Sequence, residues 1–265
     1  HQVCCVQVLT TLTSFSDDQG NVIEYDGTVE GEIKIKFKGN NNRLTIHPGA
    51  KIQRLFVDFD CDNGVLTIDE NLGGPPFRAN IRVGQDSTVT VGKNVSATSA
   101  VAISATEGTT VSIGDDVMFA SENEVRADDG HPIFDVRTEK RVNVSRSITI
   151  GNHVWVAREA VLLGGATIGE GMVIGYRSLV TGKIPNNCIA VGIPAKVVRK
   201  SIAWERPHLS LIKPYYKPDS RSIKKSPYWN VTEGDIQVGP RLTPTVILKR
   251  ARRVAGKVKR RLQRR

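Results

Sequence analysis

Residues 150–185 read IGNHVW, VAREAV, LLGGAT, IGEGMV, IGYRSL, VTGKIP. An aliphatic residue stands at 150, 156, 162, 168, 174 and 180, and Gly or another small residue follows it in five of the six hexads. A step of six matches neither the helical period of about 3.6 nor the strand period of about 2. It matches a solenoid whose coils have three flat sides, each side one short strand with its aliphatic residue turned into the prism. The expectation is an all-β parallel β-helix, with the hexad glycines relaxing the backbone at its corners.

Upstream, a looser form of the same pattern begins at Leu44. The pairs Leu44/Ile46, Leu66/Ile68, Val89/Val91 and Val111/Ile113 recur every 22 or 23 residues, so these coils carry extra residues at their corners. The repeat lapses over residues 120–147, and a solenoid that drops its period once ejects a loop, the usual place for chemistry on a rigid scaffold. Five segments follow: a lead-in over 1–40, the β-helix over 41–200 with its ejected loop at 120–147, an aromatic and Pro-rich C-terminal arm over 201–246, and a basic tail over 247–265. Within the lead-in, Ile33, Ile35 and Phe37 alternate with Lys34, Lys36 and Lys38, which places the lysine row toward solvent. Past residue 200 the chain is expected to close the open end of the solenoid and to pack on the prism or on a neighbouring subunit.

The net charge of +10 is misleading. Ten of the 37 Lys and Arg lie in residues 247–265, which contain no acid, and the remaining 27 are matched by 27 Asp and Glu. The body is neutral, so the high pI is no sign of a nucleic-acid reader, and nucleic acid ranks last among partners. In a helical projection Ile247, Ala251, Val254, Ala255, Val258 and Leu262 share one stripe, so the tail reads as a basic amphipathic helix. Its expected partner is an anionic membrane surface or an acidic polysaccharide. Cys4 and Cys5 are adjacent while Cys61 and Cys188 are isolated, a spacing for neither disulfides nor a metal. With no secretory n-region in the first residues and no apolar stretch of spanning length, the expected location is the cytoplasm, peripheral at the inner face of the membrane if the tail binds there.

The sequence DGHPIFD at 129–135, the NHVW hexad at 152–155 and the exit VGIPAKVVRK at 191–200 resemble the hexapeptide-repeat acyltransferases, and more narrowly the sugar and capsular-polysaccharide O-acetyltransferases. The likeness covers about a third of the chain, from Val111 to Lys200. It implies a left-handed coil, a homotrimer and acetyl-CoA as the donor, with a carbohydrate as acceptor.

Moving an acetyl group from a thioester to a hydroxyl needs a base near pH 7, and an imidazole, with an ordinary pKa of about 6.5, offers a free ring nitrogen there. The resemblance assigns that role to His131. An acid should orient its ring; Asp128, Asp129, Asp135, Glu122 and Glu124 are near in sequence, and Asp129 is favoured. Trp155, a large aromatic at a solenoid corner, is expected to form a platform for the acceptor or the pantetheine arm, or to pack at a subunit interface. Lys183, Lys196 and Arg199 are candidates for the phosphates of CoA. The resemblance adds Tyr176 and Thr181 to the CoA channel. His153 invites a metal reading, because γ-class carbonic anhydrases share the resembled fold and bind zinc through histidines, but no other histidine stands at ligand spacing, and no metal is expected. Two alternatives stay open: N-acetylation of an amino sugar or nucleotide-sugar, and a non-catalytic β-helix that binds glycan or membrane.

Overall fold

The computed structural model describes residues 6–29, 31–211 and 213–232. Three sheets of eight, nine and six strands form the sides of a left-handed β-helical prism. From Thr88 onward the coils run in the same order. In the central coil, Thr110–Ile113 lies on the nine-stranded face, Met118–Phe119 on the six-stranded face and Glu124–Arg126 on the eight-stranded face. Neighbouring coils pair in parallel. Leu44 lies beside Leu66, Leu66 beside Val89 and Val89 beside Val111, steps of 22, 23 and 22 residues, whereas Ile150 lies beside Ile168, a step of 18. The change in step is the tightening from loose to strict hexads.

The inward residues stack by face. Ile150, Ile168 and Ile184 form one buried column, Val156, Ile174 and Ala190 a second, and Leu162 and Val180 part of a third. Burying each of the larger aliphatic side chains contributes about 1.5–3 kcal/mol. At the wider end Phe15, Phe37 and Phe59 continue the core as a stack, with ring centroids 5.8 and 5.0 Å apart.

The glycines that directly follow the inward aliphatic residues do a different job from the one expected. Gly151 and Gly169 do not adopt positive φ. A Cβ on Gly169 would meet Asn186 Oδ1 at 2.3 Å and its backbone N at 2.6 Å, and one on Gly151 would meet the Gly169 carbonyl carbon at 2.9 Å. Close approach of consecutive coils is what demands glycine. The left-handed conformation falls on Gly165 and Gly171 within the hexads, as expected of glycine, and on corner residues such as His153, Glu159 and Arg177.

Two boundaries move. The parallel stack starts at Val22–Glu24, which pairs with Arg43–Ile46, followed by Glu32–Phe37 on Ile52–Phe59, well before residue 41. The alternating lysine segment of the lead-in is therefore a full solenoid strand. The excursion is also shorter than 120–147, because Glu124–Arg126 still pairs with Val101–Ala105 and Val161–Leu163; the chain leaves the prism only over residues 127–147. At the other end Ala195–Lys200 returns antiparallel on Cys188–Gly192. Residues of the segments 201–211 and 213–232 then pack back on the solenoid, and no described helix is long and apolar enough to cross a membrane. Residues 233–246 of the expected arm and the basic tail 247–265 lie outside the described residues.

Candidate active site

The excursion leaves at the corner between the eight- and nine-stranded faces and carries His131 into solvent. It is a tight hairpin. The Val142 amide donates to the Ile133 carbonyl at 2.9 Å, the Asp135 amide to the Lys140 carbonyl at 2.9 Å, and Phe134 bridges to Arg141. Asp135 Oδ1 accepts the amides of Thr138 and Arg137 at the tip, and these two backbone donors hold its carboxyl below the usual carboxylate range.

The backbone at His131 is pinned from two sides. Asn143 Nδ2 donates to the His131 carbonyl at 2.8 Å and to Asp129 Oδ2 at 2.9 Å, while its Oδ1 accepts the Ile133 amide at 2.7 Å. From beneath, the buried Asp128 accepts the Gly130 amide at 3.0 Å and the Ser104 hydroxyl at 2.5 Å, and faces Arg82 at 3.5 Å; Arg82 in turn donates to Asp60 at 2.6 Å. A third brace joins Arg141 and Ser145 to Glu107, whose carboxyl is held at about 2, first by the Arg141 guanidinium and then by the Ser145 hydroxyl. The sequence-based pairing of Asp129 with the His131 ring is not the one formed: the Asp129 carboxylate is engaged by Asn143. No signal in the sequence marked Asn143, which sits inside a lapse of the repeat.

Of the four described histidines, three spend ring nitrogens on structure. His153 faces Asp116 through Nδ1 at 2.5 Å and donates from Nε2 to the Trp204 carbonyl at 2.9 Å; His208 bonds Ser210, and His47 accepts from Gly49. His131 alone has both ring nitrogens free of hydrogen bonds among the described residues. His153 is thus a buried structural residue, stacked between Trp204 and Tyr228 at 4.1 and 4.7 Å. Burial would raise Asp116, but the His153 ring and the Arg206 guanidinium outweigh it and keep its carboxyl low. Arg206 also donates to Ser96, Asn94 and the Asp116 carbonyl, and so clamps the arm to the prism.

The other expected site residues divide by face. Thr181 lies at the same corner as His131 and shares a cavity of about 530 Å³ with Asp129 and Asn143. Trp155, 37% exposed, is on the six-stranded face beside the arm, with its ring centroid 6.0 Å from that of Trp204. Lys196 and Arg199 are exposed on the last strand of that face, and Tyr176 stands at its far corner, where its hydroxyl donates to Glu159 at 3.0 Å. Lys183 points outward from the nine-stranded face. One chain therefore does not bring His131 and Trp155 to the same face.

No family model matches the chain. It is 38% identical over 101 residues to the polysialic acid O-acetyltransferase of Escherichia coli O1:K1 / APEC, a match covering 38% of this chain and 33% of that protein. It is 42% identical over 91 residues to the galactoside O-acetyltransferase of Escherichia coli (strain K12), covering 34% and 44%. The chain thus spans between a third and a half of the length of these curated relatives. Among solved structures it superposes on a polySia-specific acetyltransferase with a TM-score of 0.68 and 34% identity, over 74% of this chain and 92% of that one. The hexad prism and this superposition over 92% of the solved chain agree: the chain belongs to the hexapeptide-repeat, left-handed β-helix acyltransferase family.

Proposed function

We propose that this protein transfers an acetyl group from acetyl-CoA to a hydroxyl of a carbohydrate, with His131 as the general base. The observation that carries the reading is the unengaged imidazole of His131, displayed on a loop braced at three points while the other described histidines are committed to structure. A free ring nitrogen accepts the hydroxyl proton as the oxygen attacks the thioester carbonyl. The carbon–sulfur bond then breaks, and the leaving thiolate takes the proton back. The names of the relatives, a polysialic acid and a galactoside O-acetyltransferase, favour a saccharide as acceptor and an O-acetyl ester as product, and we take the acceptor to be a capsular or other surface polysaccharide.

The site is shared between copies in a homotrimer. His131 and Thr181 stand at one corner of the prism, while Trp155, Lys196 and Arg199 occupy another face, so a complete site needs the corner of one protomer against the face of its neighbour. The excursion supports this, because Ile133, Phe134, Val136, Val142 and Val144 are all exposed on it, Val136 at 94%. In this arrangement Tyr176, Thr181, Lys183, Lys196 and Arg199 line the donor channel. The intracellular supply of acetyl-CoA puts the reaction on the cytoplasmic side, with the basic tail 247–265 holding the enzyme at an anionic surface. Deleting the tail should then weaken binding to anionic vesicles or long acidic glycan while leaving turnover on a short acceptor intact.

The test is thiol release from acetyl-CoA over a panel of oligo- and polysaccharides. His131→Ala should lower turnover by about 10² to 10⁴ with acetyl-CoA affinity unchanged. More than a tenth of the wild-type rate in that variant would remove His131 from the role. A product that survives mild base would make the enzyme an N-acetyltransferase, since an ester is cleaved and an amide is not.

A further inference from the structure

Arg82 borders two cavities. One holds His131; the other is a groove of about 380 Å³ on the outward side of the eight-stranded face. Strand register lays out the second in two rows. Lys34, Phe56, Asn80, Ala102 and Glu124 stand side by side on successive strands, and so do Lys36, Asp58, Arg82, Ser104 and Arg126. Each row makes four steps of about 4.8 Å, roughly 19 Å in all, the length of several pyranose rings. Ala102 and Ser104 are the small members of their rows, and the longer neighbours on either side turn that strand into a depression.

The lining has a sign. Lys34, Lys36, Arg82 and Arg126 face only two acids, Asp58 and Glu124. Those acids are already committed, Asp58 to Lys38 at 2.8 Å and Glu124 to Arg126 at 3.0 Å, while Arg82 is turned to Asp60 and Asp128. Lys34 and Lys36 have no ion-pair partner among the described residues. Phe56 is the one aromatic residue in the lining, steadied by the Arg54 guanidinium 3.9 Å from its ring centroid.

We infer that this groove is an acceptor track: an extended acidic polysaccharide lies along the eight-stranded face, its anionic groups against Lys34 and Lys36, and reaches His131 past Arg82. The inference rests on the acetyl-transfer reading and adds chain length and charge to it. A single-stranded nucleic acid would call for a series of aromatic platforms, and the groove holds one. A neutral glycan would gain no Coulombic attraction from the two ammonium groups, which have no ion-pair partner among the described residues.

Binding of size-fractionated polysialic acid, polygalacturonic acid and dextran of matched length is measured by calorimetry without acetyl-CoA, for the wild type, a Lys34→Gln/Lys36→Gln variant and Phe56→Ala. The lysine side chains point to solvent and outside the core, so the double variant is expected to fold. At low salt it should bind the acidic polymer it prefers about tenfold more weakly and with a shallower salt dependence. In turnover assays the advantage of the long acidic chain over its trimer in kcat/KM should shrink by a similar factor. Unchanged affinity in both variants, dextran binding as tightly as the acidic polymers, no binding of either acidic polymer, or a single-stranded oligonucleotide bound equally well through the same lysines would overturn the track. Polymer bound through these residues without acetyl transfer would overturn the enzymatic reading and keep the track. Turnover on a trimer with no gain from length would do the reverse.

Discussion

Asn143→Ala isolates the device that presents His131. In the native loop its side chain makes three short hydrogen bonds, to the His131 carbonyl, to Asp129 and from the Ile133 amide, at 2.8, 2.9 and 2.7 Å, and a longer one from Arg141 Nε at 3.3 Å. A typical intramolecular hydrogen bond contributes a net of about 0.5–1.5 kcal/mol. Three would reach about 3 kcal/mol if buried, but the groups they release can turn to water, so about 1.5–2 kcal/mol is the expected loss of loop order. At about 1.4 kcal/mol per factor of ten, the ratio of presented to released loop would fall about ten- to thirtyfold. The expectation is a fall in kcat of up to that size, with KM for acetyl-CoA unchanged. Amide exchange over residues 129–145 should accelerate in step while the solenoid strands stay protected. Asn143→Asp keeps the acceptor for Ile133 but sets a second carboxylate against Asp129, and should do no better than alanine. Wild-type kcat in Asn143→Ala, or a loss of kcat with unchanged exchange in the loop, would show that Asn143 does not present His131.

Three further outcomes follow from the same geometry. The Glu107 carboxyl, held at about 2 against an ordinary 4.5, stabilises the excursion at pH values above the ordinary one and loses that contribution as pH falls through 2, so exchange of residues 141–145 should rise over that acid window and not between pH 5 and 8. Arg206→Ala leaves Asp116 and Ser96 without their guanidinium and should release the arm at a cost of about 2–4 kcal/mol, seen as a red shift in Trp204 emission and earlier proteolysis after residue 205. Gly169→Ala should destabilise the prism by about 1–3 kcal/mol in thermal or denaturant unfolding, whereas Gly182→Ala, which meets nothing within 4 Å, should be close to neutral.

The strict hexads were legible because a period of six has few structural solutions, and the inward columns fall where the aliphatic residues do. The first coils were not. Val22–Glu24 and Glu32–Phe37 belong to turns of 20 or more residues with strands on only two faces, and an alternating strand looks the same in a solenoid as in any sheet. The motif points to His131 without saying what surrounds it, because those surroundings depend on the path of the excursion, which decides that Asn143 and not the His131 ring reaches Asp129. The contacts of the arm were beyond sequence for a plainer reason. Trp204 stacks on a histidine 51 residues away, and Arg206 pairs with an acid 90 residues away, so only the finished prism brings them together.

In the proposed trimer His131 of one chain works with Trp155 of another. Trp155→Ala and His131→Ala proteins, each inactive as a pure oligomer, are unfolded together, refolded as random mixtures and assayed for thiol release with a carbohydrate acceptor. In a trimer whose sites each take the histidine from one protomer and the tryptophan from its neighbour, equal mixing restores about a quarter of the sites, so about a quarter of wild-type activity should return. Activity that stays at the level of the two separate variants, in a mixture shown by mass to contain both chains in one oligomer, would contradict the account.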